Sequence, residues 1–299
     1  MTHRAGFVAI LGRPNAGKST LLNAMVGQKL AIVASRPQTT RTSIQGVVTL
    51  PDAQIVFVDT PGIHKSTTLL NRRMMDAVRA AADSPDVALF VIDSLAPYSE
   101  QDAQAIDLLK KTGAPAIAVL NKVDRLEEKP RLLKLIERYK ELHDFGAFIP
   151  VSASRGGGLD VLQREIVARL PEGPALFPDD YLTDQPERFL AAEIVREKIL
   201  RFATQEVPHA VTVSIESWED TEKLVRISAI VYVERPGQKA ILIGAKGSAL
   251  KKIGTEARLD LERMLGKKVF LETVVRVRPN WRDDPEFVAS ADWRSASRM

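Results

Sequence analysis

The sequence predicts two folded regions of different class, a doubly wound α/β region over residues 1–170 and a smaller α+β region over residues 188–299. Short apolar runs rich in valine and isoleucine alternate with amphipathic, helix-like segments through the first region, which predicts a mostly parallel sheet covered by helices on both faces. After a proline-rich segment the order changes to helix, two strands, two helices and a strand, which predicts the second region.

The apolar runs of the first region do not alternate strictly between apolar and polar residues, as is typical of strands buried on both faces. One run, "TSIQGVVTL", alternates more and is joined to "QIVFVD" by the turn "PDA", so we expect an antiparallel neighbour there. The prediction is therefore a six-stranded, mostly parallel sheet. Its strands in chain order are "FVAIL", "TSIQGVVTL", "QIVFVD", "DVALFVID", "PAIAVLN" and "AFIPVS".

Residues 171–187, "PEGPALFPDDYLTDQPE", are rich in proline and lack any periodicity, which predicts a semi-rigid interdomain linker. Beyond it "RFLAAEIVREKILRFATQ" has helical spacing, and two strand-like runs follow. A short glycine loop then lies between two helices, and the strand "KKVFLETVVRVRP" comes last.

Composition excludes several classes of protein. There is no cysteine, which rules out disulfides and thiolate metal sites and fits a reducing cytosol. No apolar run reaches the length of about 18 residues that a membrane span needs, and the first apolar run leads directly into a glycine loop, which leaves no room for a cleavable signal. We therefore expect a globular protein located in the cytoplasm.

The net charge of +4 is unevenly distributed. Residues 235–282 contain 12 Lys/Arg and 4 Asp/Glu, a balance of +8, whereas the rest of the chain has a balance of −4. This asymmetry predicts a polyanion as partner of the C-terminal region, with a solvated basic face as the alternative.

The segment "GRPNAGKS" after the first apolar run fits the pattern G-x-x-x-x-G-K-[ST] of a phosphate-binding loop. Glycines let backbone N–H groups turn toward phosphate at the positive end of the following helix, the lysine reaches the β- and γ-phosphates, and the serine hydroxyl binds Mg²⁺. The residues that we expect to contact the nucleotide here are Gly12, Arg13, Pro14, Asn15, Ala16, Gly17, Lys18, Ser19 and Thr20.

Three further motifs follow buried strands in the order expected of a guanine nucleotide site. In "FVDTPG", Asp59 can hold the Mg²⁺ shell and the Gly62 N–H can face the γ-phosphate, with Thr60 and Pro61 between them. In "NKVD", the carboxylate of Asp124 can accept hydrogen bonds from N1–H and the 2-amino group of guanine, which adenine does not offer. Asn121 and Lys122 complete this motif, and "PVSAS" adds Ser152 and the Ala153 N–H, which is placed to meet guanine O6. This pattern resembles the G1, G3, G4 and G5 boxes of the GTPase superfamily.

The switch loop "ASRPQTTRTS" lies between the first two motifs. We expect Thr40 to complete the Mg²⁺ shell together with Ser19 and Asp59, with Thr39 as the alternative. Ile63 stands where Ras-like enzymes carry a glutamine that orients water, so intrinsic hydrolysis should be slow or another group must supply the charge.

The second glycine loop, Gly244-Ala245-Lys246-Gly247, lacks the lysine–serine pair of a nucleotide loop. A tight turn of small residues lets a nucleic-acid backbone approach closely, and Lys246, Lys251 and Lys252 add positive charge. The G-x-x-G loop, the element order and the local charge together resemble a type II KH domain, whose loop holds about four nucleotides of single-stranded nucleic acid.

An Era/TrmE-like GTPase domain followed by a type II KH domain resembles the bacterial Era GTPases over nearly the whole chain. The segments that carry the resemblance are "GRPNAGKSTLLN", "PQTTR", "VDTPGIH", "NKVD", "FPDDYLTD", "RFLAAEIVREKILRF" and "GQKAILIGAKGSALKKIGTEAR". One departure is "SAS", where relatives often carry a charged third residue, and it leaves the role of Ser154 open.

The resemblance implies GTP and GDP as ligands with Mg²⁺, and K⁺ as a further ion held in part by Asn15. It implies a ribosome-assembly factor that binds the 3′ end of 16S ribosomal RNA on the small subunit, with weak peripheral association at the inner face of the cell membrane. We expect no DNA partner and a monomer. The residues implicated in hydrolysis are Lys18, Asn15, Thr40 and Gly62.

Two alternatives stay open at this stage. The first is an RNA-binding scaffold or chaperone in which GTP is structural and rarely hydrolysed, which Ile63 permits. The second is an ATP-dependent kinase or ATPase, which "NKVD" disfavours.

Overall fold

The computed structural model describes residues 2–34, 39–61, 68–81, 83–128, 130–203 and 207–290. These residues form two compact units. The first unit contains residues 2–31, 40–61 and most of 73–184, and the second contains residues 185–203 and 207–290 together with residues 32–34, 39 and 68–72. Within the described residues no helix is both long enough and apolar enough to cross a membrane.

The first unit has a six-stranded sheet in the order β2-β3-β1-β4-β5-β6, in which only β2 runs antiparallel to its neighbour. The prediction of a doubly wound, mostly parallel, six-stranded sheet is therefore confirmed. Its strands are β1 (Arg4–Leu11), β2 (Ile44–Thr49), β3 (Ala53–Asp59), β4 (Val87–Asp93), β5 (Ala116–Asn121) and β6 (Ala147–Val151), and its helices are α1 (Lys18–Val26), α2 (Leu69–Ala81, whose first residues belong to the second unit), α3 (Glu100–Thr112), α4 (Pro130–Lys140) and α5 (Leu159–Val167).

The central strand β1 shows why the apolar runs do not alternate. Val8 and Ile10 belong to a core on one face of the sheet, and Ala9 and Leu11 belong to a separate core on the other face. All four side chains are at most 1% exposed, because helices cover both faces. The loops that follow β1, β3, β4, β5 and β6 therefore open at the carboxyl edge of the sheet, where such folds bind ligands.

The second unit has a three-stranded sheet in the order β7-β8-β9, with β7 and β8 antiparallel and β8 and β9 parallel. The predicted α+β class and its order of main elements are confirmed, and the structure adds a short helix before β7 and another after β9. The elements are α6 (Glu187–Phe202), α7 (Val207–Ala210), β7 (Thr212–Asp220), β8 (Leu224–Val233), α8 (Pro236–Ile243), α9 (Ser248–Leu265), β9 (Lys268–Val277) and α10 (Pro285–Ser290). One core joins α6 and α9 to the sheet through residues such as Ile199, Val231 and Leu261.

The proline-rich segment is attached to the first unit as far as Asp184. The Oε1 atom of Gln54, a fully buried side chain on β3, accepts hydrogen bonds from the backbone N–H groups of Leu176 (2.7 Å) and Phe177 (2.9 Å), and its Nε2 donates to the Phe177 carbonyl (2.9 Å). Thr183 forms an isolated bridge with Gly46 of β2. The domain boundaries at residues 170 and 187 remain a proposal. The hydrogen bonds show that the proline-rich segment packs against β2 and β3 of the first unit.

We expect Gln54→Leu to lower the free energy of unfolding of the first unit by about 2 kcal/mol, because three backbone groups lose their side-chain partner. The 171–184 segment should also become more sensitive to limited proteolysis. Gln104→Leu on the exposed surface of α3 is the matched control and should change neither urea denaturation nor cleavage. Equal proteolysis of both variants would contradict this account of how the segment is held.

Candidate functional sites

The first glycine loop fits tightly against two strands of the sheet. Gly12 has φ 142°, and a Cβ atom there would lie 2.4 Å from the Val91 carbonyl oxygen of β4. Gly17 has φ 101°, and its Cβ would lie 2.2 Å from Nδ2 of Asn121 at the end of β5. Only glycine allows these conformations and approaches, which explains why the loop needs glycine at both ends.

Lys18 curls back over this loop. Its Nζ donates to the carbonyls of Gly12 (2.9 Å) and Arg13 (3.2 Å), and its side chain is buried. Burial lowers the pKa of this ammonium group, and the negative charge of Asp59 partly opposes that effect. A buried cation with one ionised neighbour is an environment that favours a further anion, so the geometry suits a phosphate group.

The other predicted loop residues have different surroundings. The Arg13 guanidinium points to acidic groups of the fold, 3.5 Å from Asp93 and 3.4 Å from Asp102, so its side chain anchors the loop. Asn15 is exposed and has a φ of 62°, and its backbone carbonyl accepts a hydrogen bond from Lys122 Nζ (2.7 Å). Ala16 is buried, and Pro14 and Thr20 are half-buried.

Three oxygen-bearing side chains meet beside Lys18. The Ser19 hydroxyl lies 2.7 Å from Thr40 Oγ1 and donates to Asp59 Oδ2 (2.6 Å). Asp59 is fully buried, and among the described residues its Oδ1 has no hydrogen-bond partner. Two hydroxyls and a carboxylate with an unsatisfied buried oxygen fit the oxygen-ligand preference of Mg²⁺. The structure brings Thr40 to this cluster, whereas the Thr39 hydroxyl donates to the Ala34 carbonyl (3.3 Å).

Thr60 and Pro61, which follow Asp59, are both buried. The Thr60 hydroxyl donates to the Ile10 carbonyl of β1 (2.9 Å), which fixes the start of this loop against the central strand. Gly62 and Ile63 lie outside the described residues, so their predicted roles stay predictions.

Asn121 connects the loop to the predicted base site. Its Nδ2 donates to the Ala16 carbonyl (2.9 Å), and its Oδ1 accepts from the backbone N–H groups of Lys122 (2.8 Å) and Ala153 (3.1 Å). The Ala153 N–H that we expected to meet guanine O6 is thus bonded to Asn121 in this structure. Lys122 joins the loop to β4, because its Nζ also donates to Asp93 (2.8 Å).

Asp124 stands at the opening of this site with its side chain 10% exposed. Its Oδ1 accepts a hydrogen bond from the Ser152 hydroxyl (2.7 Å), and its Oδ2 lies 3.3 Å from Nε of Arg155. Sequence reasoning assigned roles to Asp124 and Ser152 and missed Arg155. The signal available was a basic residue two positions after Ala153, beside the "SAS" departure from the family pattern.

The second glycine loop forms a tight turn between α8 and α9. Gly244 (φ 70°) packs closely enough that a Cβ would lie 2.7 Å from Ala249 Cβ, whereas Gly247 (φ 79°) faces open space. Lys246 also adopts a left-handed conformation (φ 50°), and both Ala245 and Lys246 are exposed. The turn therefore presents a small, accessible backbone with one lysine at its tip.

A groove of about 320 Å³ continues from this turn between α9 and β9. The residues of α9 that line this groove recur at helical spacing. Of the lining residues, only Gly247 and Lys251 were assigned a role from the sequence. The lining residues are Gly247, Leu250, Lys251, Gly254, Thr255, Arg258, Leu271 and Thr273. The spacing of Gly247, Lys251, Gly254 and Arg258 by four, three and four residues was the available signal.

Lys252 lies elsewhere. It lines a second cleft, between α6 and α9, together with Lys198 and Arg201. Consecutive residues of a helix point about 100° apart, so one lysine of the pair faces the groove and the other faces α6. Lys251 and Lys252, both of which we expected from the sequence to contact RNA, therefore lie in different clefts.

Comparison with known families agrees with this division into two sites. The model of a family described as 50S ribosome-binding GTPase matches residues 7–122. The model of the KH domain matches residues 206–282. Each match covers one of the two glycine loops.

Relatives are similar over nearly their full length. GTPase Era of Geobacter metallireducens is 48% identical over 283 residues, which cover 94% of this chain and 95% of the relative. GTPase Era of Ruminiclostridium cellulolyticum is 43% identical over 296 residues, 99% of both chains.

Two solved structures are similar throughout. A crystal structure of a single-residue variant of Aquifex aeolicus Era bound to GDP·AlF4⁻ has a TM-score of 0.91 and 40% identity, covering 95% of this chain and 97% of the other. A crystal structure of Era with MgGDPNP and nucleotides 1506–1542 of 16S ribosomal RNA has a TM-score of 0.92 and 40% identity, covering 96% and 97%.

The buried Asp59 makes a pH-dependent prediction for the nucleotide-free protein. Burial raises the pKa of this carboxyl from 3.8 to about 6. Between these values the folded protein keeps a proton that the unfolded chain has lost, so this group makes stability fall as pH rises to about 6 and stay constant above it. Asp59→Asn should therefore raise the free energy of unfolding by about 1–3 kcal/mol at pH 8, with the gain disappearing below pH 3.8.

Urea denaturation at several pH values measures this difference. Asp52→Asn, which makes the same change at an exposed carboxylate in the turn before β3, is the control for the effect of burial. A gain for Asp59→Asn that is equal at pH 4 and pH 8 would show that burial of charge is not its cause.

Proposed function

Because this chain belongs to the family of Era GTPases, we propose that it is a GTP-hydrolysing switch that binds 16S ribosomal RNA near its 3′ end and acts in assembly of the small ribosomal subunit. The resemblance predicted from the sequence is confirmed by 48% identity over 94% of the chain. The reaction is hydrolysis of GTP to GDP and phosphate.

One observation carries the proposal, the similarity over 96% of the chain to an Era structure that contains both MgGDPNP and a 16S ribosomal RNA segment. The two family models, which match residues 7–122 and 206–282, contain the two glycine loops. The family description that names the 50S subunit matches residues 7–122 alone and so does not include the RNA-binding region. We therefore take the small subunit as the partner.

In the nucleotide half, the backbone N–H groups of the first loop and the Lys18 ammonium would hold the phosphates. Ser19, Thr40 and Asp59 fit Mg²⁺, which when bound neutralises charge that develops on the β- and γ-phosphates. Asp124 would select guanine through its two oxygens, because adenine offers neither the N1–H nor the 2-amino donor that the carboxylate accepts from guanine.

The residue directly after "DTPG" is Ile63, which has no polar side-chain atom and so cannot orient the attacking water. We propose that hydrolysis is slow until another charge is supplied at the phosphates. The exposed Asn15 is the residue that we assign to holding K⁺ for this purpose, on the family resemblance.

In the RNA half, the turn at Gly244–Gly247 would approach the sugar–phosphate backbone, and the groove beside it would hold bases of a single strand. Lys246 and Lys251 supply charge at the turn and the groove edge, and Arg258 lies further along the same groove. A groove of this size with apolar Leu250 and Leu271 suits stacked or edge-on bases better than a duplex.

Val33, which precedes the switch loop, and Thr39 within the loop belong to the second unit. Within that unit, the Val33 N–H donates to Glu197 Oε1 of α6 (3.0 Å), and the Thr39 carbonyl accepts from Arg196. The next residue, Thr40, belongs to the first unit and contacts Ser19. A change of Mg²⁺ coordination that displaces Thr40 would therefore also displace Thr39, which is hydrogen-bonded to α6.

We place this function in the cytoplasm because its RNA partner is there. Weak peripheral association with the inner face of the membrane belongs to the same proposal on the resemblance alone. We propose a monomer with no DNA partner.

Affinity for a short RNA matching the 16S 3′ end, at one fixed salt concentration, tests the switch. We expect protein loaded with a non-hydrolysable GTP analogue to bind it at least about fivefold more tightly than protein loaded with GDP, as a typical coupling free energy gives. Lys18→Ala should remove nucleotide binding and the difference together. Equal affinity in the two nucleotide states would favour the scaffold in which GTP is structural.

The two adjacent lysines of α9 offer a matched test of the RNA groove. Lys251→Ala should weaken RNA binding and reduce the slope of log affinity against log salt by about 0.7, the value for one phosphate contact on a single strand. Lys252→Ala removes the same charge one residue away and should leave the slope unchanged.

Replacing Ala245 and Lys246 with Asp is the positive control and should abolish RNA binding while GDP binding persists. Equal effects of the two alanine variants would mean that the groove between α9 and β9 does not direct the RNA.

A further inference from the structure

Arg155 contacts the carboxylate that we assign to guanine recognition. It follows β6 in the loop "SASRGGG", and its Nε lies 3.3 Å from Asp124 Oδ2. The Arg155 side chain is 74% exposed, whereas that of Asp124 is only 10% exposed. The arginine therefore reaches a nearly buried acid from the solvent side.

A tight turn holds Arg155 at this position. Its backbone N–H donates to the Ser152 carbonyl (3.1 Å), and Ser152 exchanges two backbone hydrogen bonds with Gly157, at 2.9 and 3.2 Å. The same Ser152 donates its hydroxyl to the other oxygen of Asp124 (2.7 Å). Both oxygens of the carboxylate thus have protein partners supplied by one short loop, one neutral and one charged.

Guanine needs the same two oxygens, because N1–H and the 2-amino group donate side by side. A carboxylate oxygen accepts more than one hydrogen bond, so the recessed Ser152 hydroxyl and N1–H can share Oδ1. Arg155 instead approaches Asp124 from the solvent side, which is the side from which a base must enter. Its long, exposed side chain therefore obstructs the approach of the 2-amino group to Oδ2.

We propose that Arg155 is a specificity-determining residue that competes with the 2-amino group of guanine for Asp124 Oδ2. This inference rests on the guanine site of the proposed function. With the site empty, the arginine neutralises and orients the carboxylate. When a guanine nucleotide binds, Arg155 moves away from Asp124, and it returns when the nucleotide dissociates. The loss of this ion pair cancels part of the binding free energy that the 2-amino group contributes.

The size of the effect follows from the exposure of the arginine. An exposed ion pair changes an equilibrium by a factor of about two to five. Competition on this scale lowers the preference for guanine over hypoxanthine without removing it. Hypoxanthine lacks the 2-amino group, so an inosine nucleotide can bind while Arg155 stays on Oδ2.

The test is to measure the dissociation constants of GDP and IDP for the full-length protein and for Arg155→Ala. We expect the variant to bind GDP about two- to fivefold more tightly and to bind IDP with unchanged affinity, so that its GDP-to-IDP preference rises by the same factor. Arg164→Ala removes an arginine of equal exposure (73%) whose partner is Asp160 on α5, and it should change neither constant.

A second measurement needs no variant. Raising sodium chloride from 0.1 to 0.5 M, which shortens the screening length from about 10 Å to about 4 Å, should move the GDP-to-IDP preference of the unmodified protein toward that of Arg155→Ala.

An unchanged preference in Arg155→Ala, or equal weakening of GDP and IDP, would overturn the inference, the latter by showing that Arg155 holds the bound base. Failure of the unmodified protein to bind GDP would instead refute the guanine site itself.

Discussion

The side chain of Asn121 is the connection on which the nucleotide site depends. One amide group joins the phosphate loop at Ala16 to the base-side loop at Ala153, two segments far apart in the chain. Because Asn121 ends the buried strand β5, its position is fixed by the sheet. Gly17 lies so close to it that any side chain there would collide with the amide, so the glycine of the motif and the asparagine of another motif require each other.

The same edge of the sheet concentrates charge that the fold alone does not satisfy. Lys18 and Asp59 are buried near each other, and Asp59 retains an oxygen without a partner among the described residues. Such an arrangement costs stability in the empty protein and is offset when phosphate and a divalent cation supply the missing charges. The carboxylate that we propose for guanine selection, Asp124, has one recessed and one exposed partner.

In the second unit the site that we propose for RNA is built on one helix. The turn at Gly244–Gly247 brings the backbone to the surface, and α9 then places every third or fourth residue along the groove. Its other faces pack against α6 and the sheet. The helix that carries the proposed RNA groove therefore shares a core with α6, which also forms hydrogen bonds with Val33 and with Thr39 of the switch loop.

Local patterns in the sequence predict the two fold classes, the order of the strands along the chain and the motif residues that follow β1, β3, β5 and β6. These follow from local patterns, because burial on both faces, glycine loops and helical spacing are each written within a few residues. Three features follow from the three-dimensional fold and not from any local pattern: Arg155 contacts Asp124, Lys252 lines a different cleft from Lys251, and residues 32–34 and 39 pack with the second unit. A local pattern states which side chains must be covered or exposed, and it does not state which distant segment supplies the partner.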